Sequence, residues 1–435
     1  MANTTGYKAL VMVYLQGGLD HNDTIIPYDQ PSWDKLKGYR GNVLSNDRVP
    51  SNLLKLNPLN EADFGGRQFG MPQEMAPIHR MFEEGDAAII GNVGALIQPI
   101  TKQDVLEGNS KVPGRLGSHN DHATYWQALG FEGAKAGWGG KLLDATRSNT
   151  TDPTFAGLTT TGKTVFLNGE ETRQSMVSDP KTLAPELTLH GSYPDGNNQA
   201  RDAFWSKVKD HYRTQKDDVS RENLFARDFN TLTSLGHANS EKMFNALKAL
   251  TPLTTLFPTH QMGRYFNRIA NTIQIRETLQ AERQIFYVYF PGFDTHRDQG
   301  KELPWRQHSL SAAIGAFRQA MIEIGVWDDV TVFTAGDFGR TLVGNSNAGT
   351  DHAWGGHHFV MGGSVKGKTM YGDYPQFDIN SDSYYSERGT LVPTLAVEQY
   401  AATLARWFGL TEEEIYSIFT NLKNFPTQDL GFFNV

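Results

Sequence analysis

The stretch KALVMVYLQGGLD, residues 8–20, decides the fold, because a strand, a tight turn and an acidic side chain follow one another in it. Its first nine residues are a nearly continuous apolar and β-prone run, which is typical of a strand buried on both faces of a parallel sheet. Gly17 and Gly18 then permit a tight turn, and Asp20 comes just after it. Since ligands bind at the carboxyl ends of strands in open α/β sheets, Asp20 is the first candidate site residue.

Further along the chain, predicted strands alternate with predicted helices. Apolar runs predict further strands at residues 86–93, 285–290 and 330–334. Helical spacing of apolar residues predicts helices at 74–84, 119–129, 310–324 and 397–408, and a capping box at Thr411–Glu414 predicts one more. This order predicts an α/β fold, with a doubly wound, mostly parallel sheet flanked by helices. We interpret residues 1–435 as a single domain.

One region does not fit the alternation. Residues 155–200 are rich in Thr, Gly and Pro, which indicates irregular or antiparallel structure, and residues 200–250 are charged and mostly helical in pattern. We therefore predict that 155–260 is an insertion or cap within the domain.

The composition excludes several classes of function. The net charge is −8 and no basic run occurs, so nucleic acid is not an expected partner. The chain has no cysteine, which excludes disulfides, thiolate ligands and a cysteine nucleophile. No apolar run approaches the length of a membrane span. The oligomeric state is not indicated by the sequence.

Acidic and imidazole side chains gather just beyond the predicted strands, where the strand ends share one edge of the sheet. Asp and His together suit a divalent metal, so we predict one or two ions, zinc first, with Mn, Mg or Ca as alternatives. The predicted ligands are Asp20, His119, Asp294, His296, Asp337, Asp351, His352 and His357, and Arg340 is a candidate for binding an anionic group.

Each of these residues also has a structural interpretation. An aspartate after a glycine turn is often a turn residue or a helix cap, and Arg340 fits a structural ion pair. His357 and His358 are adjacent, so in a strand they point to opposite faces, and at most one can be a ligand.

Ser118 precedes a predicted helix and has two possible roles. It fits the helix cap, because serine side chains accept hydrogen bonds from free backbone N–H groups there. It also fits a nucleophile, because a helix N-terminus favours phosphate or sulfate oxygens, although the hydroxyl then needs a base or a metal to remove its proton. Both interpretations stay open at this point.

Taken in order, several blocks of the sequence resemble the DUF1501 family. They are LQGGLDHNDTIIPY (15–28), GSHNDHATYWQ (117–127), GFDTHRDQ (292–299), DVTVFTAGDFGRTL (329–342), GTDHAWGGHHFVMGG (349–363) and TLARWFGLTEEEIYSIFTNL (403–422). That family is grouped with the alkaline phosphatase and sulfatase superfamily. The resemblance implies an alkaline phosphatase-like fold, a metal site, action on phosphate or sulfate esters, and a periplasmic or secreted location. The opening residues themselves do not form a signal-peptide pattern.

Carried over by position, the resemblance implies roles for individual residues. Asp20 corresponds to the first-strand ligand and Ser118 to the nucleophile. Asp294 with His296 corresponds to a metal-binding pair. The later ligands correspond to Asp337 and to His352 or His357.

Two departures from the family pattern affect these roles. Asp337 stands where family members more often carry Glu, and Phe338 stands where the superfamily has a second ligand. One metal site is therefore incomplete, or is completed by Asp351 or a histidine of the opening loop. The block SHNDH also lacks the pattern that formylglycine sulfatases need, which argues against a conventional sulfatase mechanism.

The sequence thus predicts a metal-dependent hydrolase of small or polymeric phosphate or sulfate esters, with Ser118 as nucleophile. One alternative is a non-catalytic protein with a structural metal site, which binds a cell-surface polymer or a partner protein through Trp126, Trp138 and Trp354. Another is a phosphomutase, which would transfer the group to a second hydroxyl.

Overall fold

The computed structural model describes residues 6–108, 112–130, 132–177 and 224–434, with isolated positions between 203 and 214. A nine-stranded main sheet forms its centre. The strands of this sheet, β1 to β9 in chain order, are Lys8–Leu15, Ala87–Gly94, Gly157–Thr159, Ser175–Met176, Arg283–Phe290, Val330–Gly336, Gly356–Met361, Met370–Gly372 and Leu395–Ala396.

The described part of the chain also contains eleven α-helices. In chain order α1 to α11 are Gln30–Arg40, Ala76–Glu84, Lys102–Leu106, His119–Ala128, Trp138–Ala145, Leu224–Lys248, Gln261–Gln274, Arg276–Leu279, Gln299–Ile324, Val397–Phe408 and Glu412–Ile418. A small antiparallel sheet is formed by Ile26–Pro27, Leu54–Lys55 and Phe69–Met71. Within the described part of the chain, no helix is both long and apolar enough to cross a membrane.

The main sheet is built outward from β1. Its strand order is β8–β2–β7–β6–β1–β5–β3–β4, and β9 pairs with β2. β1 runs parallel to β5 on one side and to β6 on the other, and among the described strands of the main sheet only β7 is antiparallel to its neighbours. The predicted mostly parallel α/β sheet is therefore confirmed.

Helices pack on both faces of the sheet, and β1 contributes to both layers. Val11 belongs to the core shared with α2, α7 and α9, whereas Met12 belongs to the core shared with α4, α5 and α10. This explains why the strand is apolar at nearly every position. Trp126, Trp138 and Trp354 are at most 2% exposed, so they are core residues and do not form the surface suggested as an alternative.

The region after residue 155 differs from its prediction. Gly157–Thr159 pairs in parallel with β5 inside the main sheet, and Ser175–Met176 extends the same edge, so these segments are neither irregular nor antiparallel. α6 agrees with the helical pattern expected before residue 250. Most of residues 178–223 lie outside the described residues, and the insertion at 155–260 stays a prediction.

Candidate metal centre

The loops that carry the predicted ligands meet at one edge of the sheet. β1, β5 and β6 are adjacent parallel strands, so their carboxyl ends lie side by side, and the segment before antiparallel β7 reaches the same edge. Gly17 and Gly18 have φ of 102° and 83°. A Cβ on Gly17 would lie 2.2 Å from the backbone nitrogen of Asp294, and one on Gly18 would lie 2.2 Å from the carbonyl oxygen of Phe338. Only glycines allow the β5 and β6 loops to come this close.

Four side chains converge at this edge. His119 at the start of α4, Asp294 after β5 and His352 before β7 have ligand atoms within 4.8 Å of one another. His296 joins them, with Nε2 at 2.9 Å from Nε2 of His352 and 3.0 Å from Oδ1 of Asp294. We call these four residues the His–Asp group. Their side chains are 24–41% exposed, so the group opens to solvent.

Each imidazole of the His–Asp group is held at Nδ1 by an acceptor. An acceptor at Nδ1 keeps the proton of the neutral ring there and leaves Nε2 as a lone pair. The three contacts are His119 Nδ1 to Asp337 Oδ2 at 2.6 Å, His296 Nδ1 to Asp351 Oδ1 at 3.2 Å, and His352 Nδ1 to the carbonyl oxygen of Gly117 at 2.8 Å.

This donor set fits a cation. The Nε2 atoms of His296 and His352 lie 2.9 Å apart, and each lies 3.0 Å from Oδ1 of Asp294, so one cation could contact all three atoms. His119 Nε2 is also directed at the group, 3.5 Å from Oδ2 of Asp294. Several imidazole nitrogens with one carboxylate form a ligand set typical of zinc and other borderline divalent metals.

Asp294 is kept in its ionised form. Burial raises the pKa of its carboxyl group, but contact with His352 and the charge of Arg340 outweigh burial and lower that pKa below its usual range. Arg340 is fully buried and donates to Oδ1 of Asp294 at 2.8 Å and to the carbonyl oxygen of Gly17 at 3.2 Å. Arg340 therefore holds Asp294 from behind, as in the ion-pair interpretation.

Asp337 and Asp351 lie one layer behind the ligand atoms. Asp337 is 1% exposed, and its oxygens accept from His119, from the hydroxyl of Tyr14 and from the backbone N–H of Gly17. Asp351 contacts His296 through Oδ1, which also accepts from Asn345 at 3.0 Å, and its Oδ2 faces Arg388 at 3.4 Å. Both carboxylates orient histidines, a role that metal sites commonly require of their surroundings.

Asp20 does not reach the His–Asp group, which differs from its prediction as a ligand. It is fully buried, and its Oδ2 accepts hydrogen bonds from Arg40 and from Gln299, both at 2.5 Å. The side-chain oxygen of Gln299 accepts in turn from the hydroxyls of Thr295 and Thr350. Asp20 therefore anchors the two loops that carry Asp294, His296 and His352.

His357 also lies outside the group. On β7 its Nδ1 accepts from the backbone N–H of Asn92 at 3.0 Å, so in the neutral ring the proton stays on Nε2. Its ring packs 4.7 Å from that of His21, whereas His358 packs on Trp126. The two histidines point to opposite faces, as expected for a strand, and neither is placed to bind an ion with His352.

Ser118 has the contacts of a helix cap. Its Oγ accepts from the backbone N–H of Asp121 at 3.4 Å and donates to Oδ2 of that residue at 2.7 Å. The hydrogen bond from Ser118 is the main cause that lowers the pKa of the Asp121 carboxyl group, which makes Asp121 a weak base. The hydroxyl is thus committed to α4.

Comparison with known proteins places the chain in a family. The model of the family described as "Protein of unknown function (DUF1501)" matches residues 7–415. The chain belongs to the DUF1501 family. No curated protein matches this DUF1501 sequence.

Two solved structures show remote similarity to this DUF1501 chain. One is Ps i-CgsB in complex with k-i-k-neocarrahexaose, at 10% identity and a TM-score of 0.36, covering 95% of this chain and 74% of that one. The other is the lipoteichoic acid synthase LtaP from Listeria monocytogenes, at 10% identity and a TM-score of 0.29, covering 94% and 74%.

Among the residues that orient the site in this DUF1501 member, Asp337 and Asp351 were predicted as ligands, whereas His122, Gly117 and Tyr14 were given no role from the sequence. His122 donates from Nδ1 to the carbonyl oxygen of Asp337 and accepts at Nε2 from the N–H of Gly117, both at 3.1 Å. Burial lowers its pKa to about 4, so the ring stays neutral and keeps both contacts. The spacing of His119 and His122 was a usable signal, whereas the carbonyl of Gly117 and the hydroxyl of Tyr14 had none.

Proposed function

We propose that this chain is a metal-dependent hydrolase of phosphate or sulfate esters that binds one divalent ion, zinc first, through the His–Asp group. The observation that carries the proposal is the convergence of three Nε2 atoms, each with its Nδ1 anchored, on the ionised carboxylate of Asp294. The ion, when bound, supplies positive charge that stabilises developing negative charge on the ester and promotes ionisation of water.

A single ion agrees best with the contacts of the remaining carboxylates. Asp20 is bound by Arg40 and Gln299, Asp337 by three donors, and Asp351 by donors on both oxygens. A second cation at any of these groups would have to displace hydrogen bonds that hold the loops. Arg40, fully buried beside Asp20, already supplies the positive charge there.

Positive side chains near the opening favour an anionic ester over a neutral one. Arg388 is 55% exposed next to Asp351, and Arg115 is 68% exposed near the start of α4. Arg297 follows His296 directly and is also exposed. On a protein with a net charge of −8, these arginines add positive charge beside residues of the site, which favours an anionic substrate.

Because the hydroxyl of Ser118 caps α4, we assign the attack on the ester to water and the serine to structure. Arg340 fixes the carboxylate of Asp294 through their ion pair. Asp337 and Asp351 keep the rings of His119 and His296 turned toward that carboxylate. The periplasmic or secreted location implied by the family resemblance belongs to the same proposal.

The test is hydrolysis of an aryl phosphate, an aryl sulfate and a phosphodiester by purified protein, before chelation, after chelation and after zinc is restored. Asp294→Asn should lose the ion and about a thousandfold in rate, because transition-state charge is no longer stabilised. Asp34→Asn, an exposed aspartate on α1, is the matched control and should behave as wild type. Hydrolysis that survives both chelation and Asp294→Asn would refute the proposal.

A further inference from the structure

Tyr14 is a buried residue of β1 whose hydroxyl is directed at Asp337, the carboxylate that contacts His119. Its side chain is 2% exposed, and the hydroxyl donates to Oδ1 of Asp337. Buried tyrosine hydroxyls need such partners, but here the acceptor is a carboxylate that itself holds a histidine of the His–Asp group.

The carboxylate of Asp337 depends on the Tyr14 hydroxyl as the hydrogen-bond donor to its Oδ1. Its Oδ2 accepts from the backbone N–H of Gly17 at 3.0 Å and contacts Nδ1 of His119 at 2.6 Å, while Oδ1 accepts from Tyr14. At 1% exposure the carboxylate has no access to bulk water. Without the tyrosine hydroxyl, Oδ1 would be left without this buried donor, which is costly for a charged group.

The orientation of His119 follows from Asp337. With Nδ1 bound to Asp337, Nε2 of His119 points into the His–Asp group, 3.5 Å from Oδ2 of Asp294. The other ring contacts of His119 are with Phe338 and His352, at centroid distances of 4.9 and 4.4 Å, and neither supplies a hydrogen bond. Partners of this kind behind a ligand typically change metal affinity by 10- to 100-fold.

We propose that Tyr14 is a positioning residue for the metal centre, which acts through Asp337 to hold His119 in the orientation that binds the ion. This inference rests on the proposed metal site and adds a residue from the core of the sheet to it. Nothing in the sequence pattern distinguishes Tyr14 from the other apolar residues of β1.

The chain offers a close control. Tyr287 on β5 stacks on Tyr14, with ring centroids 6.0 Å apart and an interplanar angle of 28°, and it is buried to 4% exposure. Its hydroxyl does not donate to Asp337; the donors to that carboxylate are Tyr14, Gly17 and His119. Tyr287→Phe therefore removes a hydroxyl from the same aromatic stack without touching the support of His119.

The experiment measures zinc affinity by competition with a chelator, and the absorption spectrum of the Co²⁺-loaded protein, for the full-length chain. Tyr14→Phe should raise the zinc Kd by about 10-fold and alter the cobalt spectrum. Tyr287→Phe should stay within about twofold of wild type with an unchanged spectrum. Asp337→Asn should weaken binding at least as much as Tyr14→Phe, and unfolding of the metal-free variants shows that each is folded.

The outcomes separate this inference from the proposed function, because the readout is metal binding. Wild-type affinity and spectrum in Tyr14→Phe would overturn the inference, as would equal losses in Tyr14→Phe and Tyr287→Phe. A wild-type protein that binds zinc but hydrolyses no ester would refute the proposed function and leave the inference standing. A wild-type protein that binds no divalent ion would overturn both.

Discussion

Ser118 and His119 are neighbours in the chain but have different contacts. The hydroxyl of Ser118 is bonded to Asp121 at the start of α4, whereas the ring of His119 is turned toward Asp294. A residue at a helix N-cap directs its side chain back to the first turn, and the next residue is free to point away. The same short block therefore supplies one structural and one site residue.

Replacing Ser118 tests which role it has. Ser118→Ala should lower the free energy of unfolding by about 1 kcal/mol, because the N-cap hydrogen bond is lost, and should change ester hydrolysis by less than about tenfold. Ser118→Asn should retain the stability, since asparagine is an equally good cap. Denaturant unfolding and initial rates measure both. A loss of about a thousandfold in rate in both variants, with stability kept in Ser118→Asn, would instead identify a nucleophile.

At the level of single residues, the sequence predicted which residues gather at the site better than it predicted the role of each residue. The structure brings together His119, Asp294, His296 and His352. It ties Asp20 to Arg40, and Arg40 arrives from α1 with no sequence signal that links it to the first strand. Position after a strand indicates that a carboxylate is near the edge, but long-range hydrogen bonds decide which carboxylates stay free.

At the level of elements, the turn after β1 controls how closely the loops approach. Gly17 and Gly85 both have positive φ, 102° and 91°, but only a Cβ on Gly17 would strike another backbone, at Asp294. A Cβ on Gly85 would meet nothing within 4 Å. Comparing an alanine substitution at Gly17 with one at Gly85 therefore separates the cost of an unusual φ from the cost of displacing a loop.

Gly17→Ala should lower the free energy of unfolding by about 3 kcal/mol, from backbone strain together with overpacking, and should weaken zinc binding because the loop carrying Asp294 is displaced. Gly85→Ala should cost only about 1 kcal/mol, from the strain alone, and leave zinc affinity unchanged. Chemical denaturation and zinc titration of both variants check this. Equal losses in the two variants would show that loop approach is unimportant.

The predicted elements were those with strong local signals. β1, β5 and β6 are buried on both faces, and this leaves continuous apolar runs that can be read directly. β7 contains two adjacent histidines and runs antiparallel, and β3 has only three residues, so neither carries a strong periodic pattern. Their places are set by pairing with strands distant in sequence.

At the level of the whole molecule, several histidines are kept neutral by the core. Burial lowers the pKa values of His21 and His358 to about 3 and that of His122 to about 4. Unfolding exposes these rings and restores a pKa near 6.5. Asp23 changes the stability with pH in the opposite direction to these histidines, because burial raises its pKa to about 6 in the folded state.

The sign of the pH dependence follows from these shifts. The stability from a neutral buried histidine is fully present above pH 6.5 and is lost as the pH falls toward its folded pKa, because the unfolded chain then binds the extra proton. We expect the metal-free protein to lose stability from pH 7 to pH 5. His122→Gln should reduce that loss by about 2 kcal/mol, measured by urea unfolding at both values. The same loss in variant and wild type would contradict the folded pKa of His122.

The central claim is that three imidazoles and one carboxylate from distant segments bind one cation at the edge of the sheet. The most direct test is anomalous diffraction at the zinc edge from crystals of the zinc-loaded protein. We expect one strong peak, bonded to Nε2 of His119, His296 and His352 and to an oxygen of Asp294. No peak at that place, or a peak bonded to Asp20 and Ser118, would contradict it.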